Sequence, residues 1–351
     1  MLSANSLRLC FVGSMVGRTP GYITTQGQVL CDLFEAAGYR SISVSARLNR
    51  YARVVEIVAS LIRYQTKIDL LVLDAFSGPS FIVLDVASRI GRLLGHPIVI
   101  CLRGGALPDF IAQFPRWAVR VLGRADVIVA PSEFLARAVG RFGFQAQVIP
   151  NVINLSAYRY RQRRKVAPRL LWMRSFEPIY NPLMAVRVLS RLRETMPEAT
   201  LTMAGKDKGM EAQVKQFAEE KGVIDNVRFP GFLDLNAKHR ECEAADLFIV
   251  TNRVDNMPVA VVEACAMGLP VVATAVGGIP DLLTHDDTGL LVADDDVEAM
   301  TAEIKRLVDE PELASRLSAN GRQLALLSDW DRVLPRWEAV FAEAVRRKYK
   351  R

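Results

Sequence analysis

Cysteine and histidine are scarce in this chain, with five of the first and three of the second in 351 residues. Cys10, Cys31, Cys101, Cys242 and Cys265 are odd in number and never spaced C-x-x-C. Three of them, Cys10, Cys101 and Cys265, sit inside apolar runs, where a free thiol behaves as a small buried hydrophobe. That argues against a disulfide framework or a zinc site and fits a reducing compartment. No apolar run approaches the length of a membrane span. Residues 1–12 lack the order of basic region, apolar core and small-residue cleavage site that marks a secretory signal. The sequence therefore predicts a cytoplasmic protein, any membrane contact being peripheral and at the inner face. There is no G-x-G-x-x-G after the first apolar run, and no acid closes the second near Ser45. Both absences count against a nicotinamide oxidoreductase.

What is present suits two globular domains. Half the residues are hydrophobic and 24% are charged, enough to bury substantial cores. The net charge of +7 favours anionic partners such as nucleotides, phosphorylated substrates or acidic membranes. Neither basic cluster interleaves aromatics with base-reading side chains, so nucleic acid is not an expected partner.

Short apolar runs alternate with amphipathic stretches throughout. Residues 7–13, 41–45, 69–73, 97–102, 126–130 and 147–149 read as strands, with helices at 28–37, 81–94, 110–122 and 133–141. The rhythm breaks at Pro150-Asn151 and at the basic run 159–165 (RYRQRRK). It restarts with strands at 169–173, 200–204, 226–229, 246–250, 270–273 and 289–292. Helices are read at 183–195, 210–220, 237–244, 259–267 and 297–308, and the chain from about residue 311 is all helical. Strands alternating with helices predict parallel sheets covered on both faces. The expected domains are 1–155 and 166–330, both Rossmann-like, followed by a helix at 331–351.

Ligands of such folds bind beyond the carboxyl ends of strands, near helix N-termini. The segment 255–278, DNMPVAVVEACAMGLPVVATAVGG, is the most informative. Asp255 lies just past a strand, and Pro258 fits a first helical turn. Glu263 stands eight residues on, in an otherwise apolar or small-residue helix, where a buried carboxylate needs a partner. The plainer alternative makes Asp255 a helix cap and Glu263 a surface residue. Gly277-Gly278 opens another helix after the next strand and would suit a diphosphate. Arg174 follows the strand RLLWM, and Lys206 follows TLTMAG.

This segment resembles the E-x7-E signature region of retaining glycosyltransferases of family 4, which have the GT-B fold. The chain departs in its first acid, Asp255 for glutamate. The resemblance implies two Rossmann-like domains facing across a cleft, the first binding acceptor and the second nucleotide sugar, with a C-terminal helix crossing back to the first. It implies that Glu263 holds the donor ribose, while Asp255, Asn256, Met257 and Pro258 surround the transferred sugar. Arg174 would contact the diphosphate. The lysine expected a few residues later is replaced by Tyr180, beside Asn181, so that part of the clamp supplies no charge. In the first domain a long loop follows Gly13 and carries Gly17 and Gly21. Gly21 falls where relatives have a glycine pair, with Tyr22 replacing the second, so the loop would approach donor or acceptor, a plain surface loop being the alternative. Arg103-Gly104-Gly105 stands where many relatives have histidine, so Arg103 would offer a hydrogen bond to sugar or acceptor.

His96, His239 and His285 all read as structural, so a histidine base is not expected. The implied reaction is same-face transfer in which the leaving phosphate takes the acceptor proton and the protein orients both substrates. No cofactor and no metal are expected, the nucleotide sugar being a substrate and the acceptor a saccharide or lipid-linked molecule. A sugar-nucleotide epimerase of this fold would want more acids and histidines. A non-catalytic binding relative is suggested by Tyr180 and Asp255. Finally, Arg47, Arg50, Arg53, Arg63 and Lys67 form a basic cluster. It reads as a solvated helix face, with docking on anionic lipid the alternative.

Overall fold

A computed structural model describes residues 7–17 and 24–349, apart from the side chain of Arg50. The chain divides into two compact units, 1–152 with 330–351, and 153–329. Residues 153–165 thus belong to the second unit, where the sequence had pointed to a linker after 155.

The first unit carries strands β1 (Arg8–Val12), β2 (Arg40–Val44), β3 (Leu70–Ala75), β4 (Ile98–Leu102), β5 (Val127–Ala130) and β6 (Ala146–Val148). They form one parallel sheet in the order β2-β1-β3-β4-β5-β6. The helices are α1 (Gln26–Ala36), α2 (Arg50–Arg63), α3 (Ser80–Leu93), α4 (Leu107–Gln113), α5 (Pro115–Leu122) and α6 (Glu133–Gly140). Strands β3 and β4 are buried throughout, as continuous apolar runs in a sheet covered on both faces must be. Side chains from α2 to α6 pack on one face. The helix expected at 110–122 is two helices, because Pro115 starts a new first turn and Phe114 leaves the helical region at φ −125°, ψ 56°.

The second unit repeats the plan with β7 (Arg169–Met173), β8 (Thr200–Ala204), β9 (Val227–Gly231), β10 (Leu247–Val250), β11 (Val271–Thr274) and β12 (Leu290–Val292). Its parallel order is β12-β11-β10-β7-β8-β9. The helices are α7 (Pro182–Arg193), α8 (Glu211–Glu220), α9 (Leu235–Ala244), α10 (Val259–Ala266), α11 (Ile279–Leu282), α12 (Val297–Asp309) and α13 (Pro311–Leu326). One core lies under α7, α8 and α12, and another under α9 and α10. The last helix, α14 (Trp330–Lys348), returns to the first unit. There Trp337, Val340 and Phe341 join Phe34 of α1 on the sheet face opposite α2.

The basic run 159–165 leaves most of its residues exposed but is anchored by one of them. Arg163 is 3% exposed and is fixed inside the second unit. Its guanidinium donates to the carbonyls of Arg161 and Met267 at 2.8 and 2.5 Å. It also donates to those of Cys242 and Ala245. Burial, and then Arg161, pulls it down to about 10, so it stays charged at neutral pH.

Candidate active site

In the second unit the strands β7, β8, β10 and β11 end at Met173, Ala204, Val250 and Thr274, and the residues just beyond them converge. Arg174 leaves β7 with its amide bonded to the carbonyl of Ala204 at 3.0 Å. Gly205 lies against the carbonyl of Arg174 so closely that any Cβ would collide with it. A chain of buried hydroxyls fixes the neighbouring loops. Trp172 Nε1 donates to Thr251 Oγ1 at 3.0 Å, and Thr251 Oγ1 donates to the Tyr180 carbonyl at 2.8 Å. Thr274 Oγ1 donates to the Asn252 carbonyl at 2.6 Å.

These supports bring Arg174 and Asp255 together, with Arg174 Nη2 2.6 Å from Asp255 Oδ2. The same oxygen accepts from Asn252 Nδ2 at 2.6 Å, and Oδ1 accepts from the amide of Asn256 at 2.7 Å. The guanidinium lies over the ring of Tyr180, 5.1 Å from its centroid. Tyr180, in the place of a lysine, therefore supplies an aromatic platform rather than a charge. Burial raises the Tyr180 phenol above its usual range, so it remains a neutral donor. Two atoms at this point, Arg174 Nε and Asn252 Oδ1, are buried without a hydrogen-bond partner. A buried donor and a buried acceptor left unpaired are each costly unless a ligand meets them.

Asp255 also ties its loop to the next one, since its carbonyl accepts from the amide of Gly278 at 3.0 Å. Gly277 has φ +56°, and a side chain there would strike that carbonyl. Gly278 thus spends its amide on the protein instead of offering it outward. Asn181 is the left-handed residue before α7, at φ 45°, and its side chain donates to Asp295 at 2.9 Å. Lys206 is half-buried and its carbonyl accepts from Phe176. Asn256 and Met257 are buried, Met257 within the apolar core, and Pro258 precedes the first residue of α10.

Glu263 lies in α10, 7% exposed, and has the partners that its burial requires. Lys238 Nζ from α9 reaches both carboxylate oxygens, at 2.6 and 2.7 Å. Tyr158 Oη donates to Oε1 at 2.8 Å. Burial first and Glu263 second push the Tyr158 phenol up, which keeps it a donor. Arg163 grips carbonyls at the C-terminal ends of both α9 and α10, the helices that bear Lys238 and Glu263. Sequence reasoning missed Lys238, Tyr158, Asn252 and Arg163. The one signal available was the demand of Glu263 for a counter-charge, which names no residue.

In the first unit, Arg103 follows β4 and is 8% exposed. Its Nε donates to Asp74 Oδ1 at 2.9 Å and its Nη1 to Asn151 Oδ1 at 3.0 Å. Arg103 Nη2 and Asp74 Oδ2 are buried without a hydrogen-bond partner. The glycines beside it are close by need: a Cβ on Gly13 would sit 2.9 Å from Asp74 Oδ2. Gly17 packs on Thr24, and Gly104 takes φ +80° next to the half-buried Gly105. Gly21 lies outside the described residues. Of the histidines, His96 is buried and its imidazole is lowered by that burial. His239 packs edge-on against Tyr158. Burial pushes the thiols of Cys10, Cys101, Cys242 and Cys265 up to about 12, which rules them out as thiolate nucleophiles at neutral pH. Among the described residues no group of three or more His, Cys, Asp or Glu is arranged to hold a metal ion.

Residues 161–324 match the family described as Glycosyl transferases group 1. A glycogen synthase of Mycobacterium tuberculosis is 29% identical over 242 residues, 67% of this chain and 56% of that protein. The chain therefore spans little more than half the length of that curated relative. A sucrose-phosphate synthase from Thermosynechococcus elongatus superposes with a TM-score of 0.80 at 17% identity, over 96% of this chain and 98% of that one. Anabaena HepE, solved in complex with UDP and glucose, superposes at 0.77 with 17% identity, over 96% and 99%. The chain thus has the GT-B fold of those two proteins, and its second unit carries the segment similar to group 1 glycosyl transferases.

Proposed function

We propose that the chain is a retaining glycosyltransferase of the family 4 type that moves a sugar from a nucleoside-diphosphate donor to a saccharide or lipid-linked acceptor. The observation that carries this reading is the cluster beyond β7 and β10. There Arg174, stacked on Tyr180, shares Asp255 Oδ2 with the Asn252 amide, and Arg174 Nε and Asn252 Oδ1 are each left without a hydrogen-bond partner. A donor diphosphate would engage the guanidinium and compete with Asp255 for it. Asp255, so relieved, would turn toward a hydroxyl of the sugar. Glu263, held by Lys238 and Tyr158, keeps acceptor capacity for a ribose diol. The bond from the anomeric carbon to phosphate breaks, the bond to the acceptor oxygen forms on the same face, and the phosphate takes the acceptor proton. The protein's share is orientation and charge stabilisation, which calls for no thiolate and no histidine. For a lipid-linked acceptor, the work would be done at an anionic membrane surface.

The direct test mixes the protein with UDP-, GDP- and ADP-sugars and follows nucleoside diphosphate release with and without acceptors. If none shifts the melting temperature or is consumed, the reading fails. Binding without release would favour a non-catalytic relative. Glu263→Gln should weaken donor binding about tenfold to a hundredfold by losing charge-assisted bonds. Calorimetric titration with the active nucleotide checks this. Lys238→Met should raise KM about tenfold with kcat little changed, because it loosens the carboxylate without touching the reacting atoms. A fall in kcat alone, seen in steady-state rates, would contradict that assignment.

A further inference from the structure

Helix α2 turns an apolar face outward. Tyr51, Val55 and Ile62 are 70%, 69% and 52% exposed, and Leu48 just before the helix is 53% exposed. Ala59 is exposed as well. The positions 51, 55, 59 and 62 are spaced by four, four and three residues, so they form one stripe. The opposite side of the helix is apolar too, and there Ile57 and Leu61 are buried in the core. Single exposed hydrophobes are ordinary on a soluble protein, but a continuous stripe marks an interaction surface. Arg47, Arg63 and Lys67 of the basic cluster are exposed, and they border this stripe rather than compose it.

Those borders are positive. Arg47 is 69% exposed on its side chain at the N-terminal margin, where its carbonyl accepts from Arg53 at 2.9 and 2.8 Å. Arg63 and Lys67 are exposed at the C-terminal margin. The acid within the helix, Glu56, is engaged by Arg47 at 3.3 Å and by Ser45 at 2.5 Å. Nearby Asp69 is bound to Arg8 at 2.7 Å. An apolar stripe flanked by cations, with its acids neutralised, matches the boundary between the acyl chains and headgroups of an anionic bilayer.

We propose that the outer face of α2 docks on the surface of an anionic membrane, with Tyr51, Val55, Ala59 and Ile62 entering the interface and Arg47, Arg63 and Lys67 meeting lipid phosphates. No helix among the described residues is long and apolar enough to cross a membrane, so this contact is peripheral. It deepens the reading of a lipid-linked acceptor by naming the surface, yet it can be tested apart from catalysis.

The full chain is sedimented with vesicles of phosphatidylglycerol and phosphatidylcholine, and with phosphatidylcholine alone, at low salt and at about 0.5 M KCl. The expected result is binding at least about tenfold stronger to the anionic vesicles at low salt, lost at high salt. Val55→Glu with Ile62→Glu should reduce it about tenfold or more, and Arg63→Glu with Lys67→Glu to a similar extent. All four positions are exposed, so melting temperature and donor turnover should not change. Ala59→Glu serves as a second probe of the same stripe. Absence of binding to anionic vesicles at low salt, or binding indifferent to the stripe variants, would overturn the proposal. So would a concentration-dependent dimer that Val55→Glu dissociates, which would give the stripe to a second copy. Vesicle binding by a protein that consumes no nucleotide sugar would refute the catalytic reading and leave the docking face standing.

Discussion

Arg174→Ala should lower turnover by about a hundredfold to a thousandfold at saturating donor, the loss seen when one donor to a developing negative charge is removed. Arg174 is the cation built into the cluster from every side: from Asp255 at 2.6 Å, from the ring of Tyr180 at 5.1 Å, and through an amide tethered to Ala204. Its unpaired Nε gives it a donor to spare for a phosphate oxygen. Arg174→Lys should not restore the rate, because an ammonium has no planar fork to share between phosphate and carboxylate. Tyr180→Phe should keep most of it, since the ring face persists. Initial rates of nucleoside diphosphate release decide the matter. A change below about threefold would remove Arg174 from the reaction and the diphosphate clamp with it.

Arg163→Met should cost at least about 1–3 kcal/mol of stability in the second unit, the range for leaving buried acceptors without their donor. The four carbonyls it now satisfies belong to Arg161, Cys242, Ala245 and Met267, two of them at the end of α9 and one at the end of α10. Methionine fills much of the volume and bonds none of them. Lysine should recover only a part, because one ammonium cannot span both helix ends. Urea or thermal unfolding reads the loss. Weaker donor binding should accompany it, as Lys238 and Glu263 ride on the two helices that come loose. A midpoint within error of the native protein would show that water replaces the guanidinium at no cost.

The central strands were legible because a parallel sheet demands unbroken apolar runs there, and all twelve strands, the more polar β2, β6 and β9 included, lie within two residues of their expected positions. Helix ends were legible where glycine or proline supplied a stop: Gly268 closes α10 at φ +80°, with Leu269 bonding back to Ala264. Pairings were not legible. The ion pair of Arg174 with Asp255 joins residues 81 apart, and that of Lys238 with Glu263 joins two helices separated by a strand. Periodicity assigns a residue to an element but not to a partner across the fold. Lys238 sits in a polar stretch like that of any solvated helix, and Arg163 in a basic run that looks like a linker. The stripe on α2 stayed hidden for a related reason. The apolar arc of α2 is wider than the strip that the core covers, and only packing shows which part of it stays outside.

Helix α14 has a consequence for how the molecule is made. Val333, Trp337, Val340, Phe341 and Ala344 complete the core beneath β1, β3 and β4, yet they are translated after all of the second unit. A nascent chain would therefore finish its later unit first, while the aromatic face around Phe34 waits uncovered for the last helix to emerge. Ribosome-bound chains halted before Trp330 should expose that face to chaperones, and release of the final turns should close it.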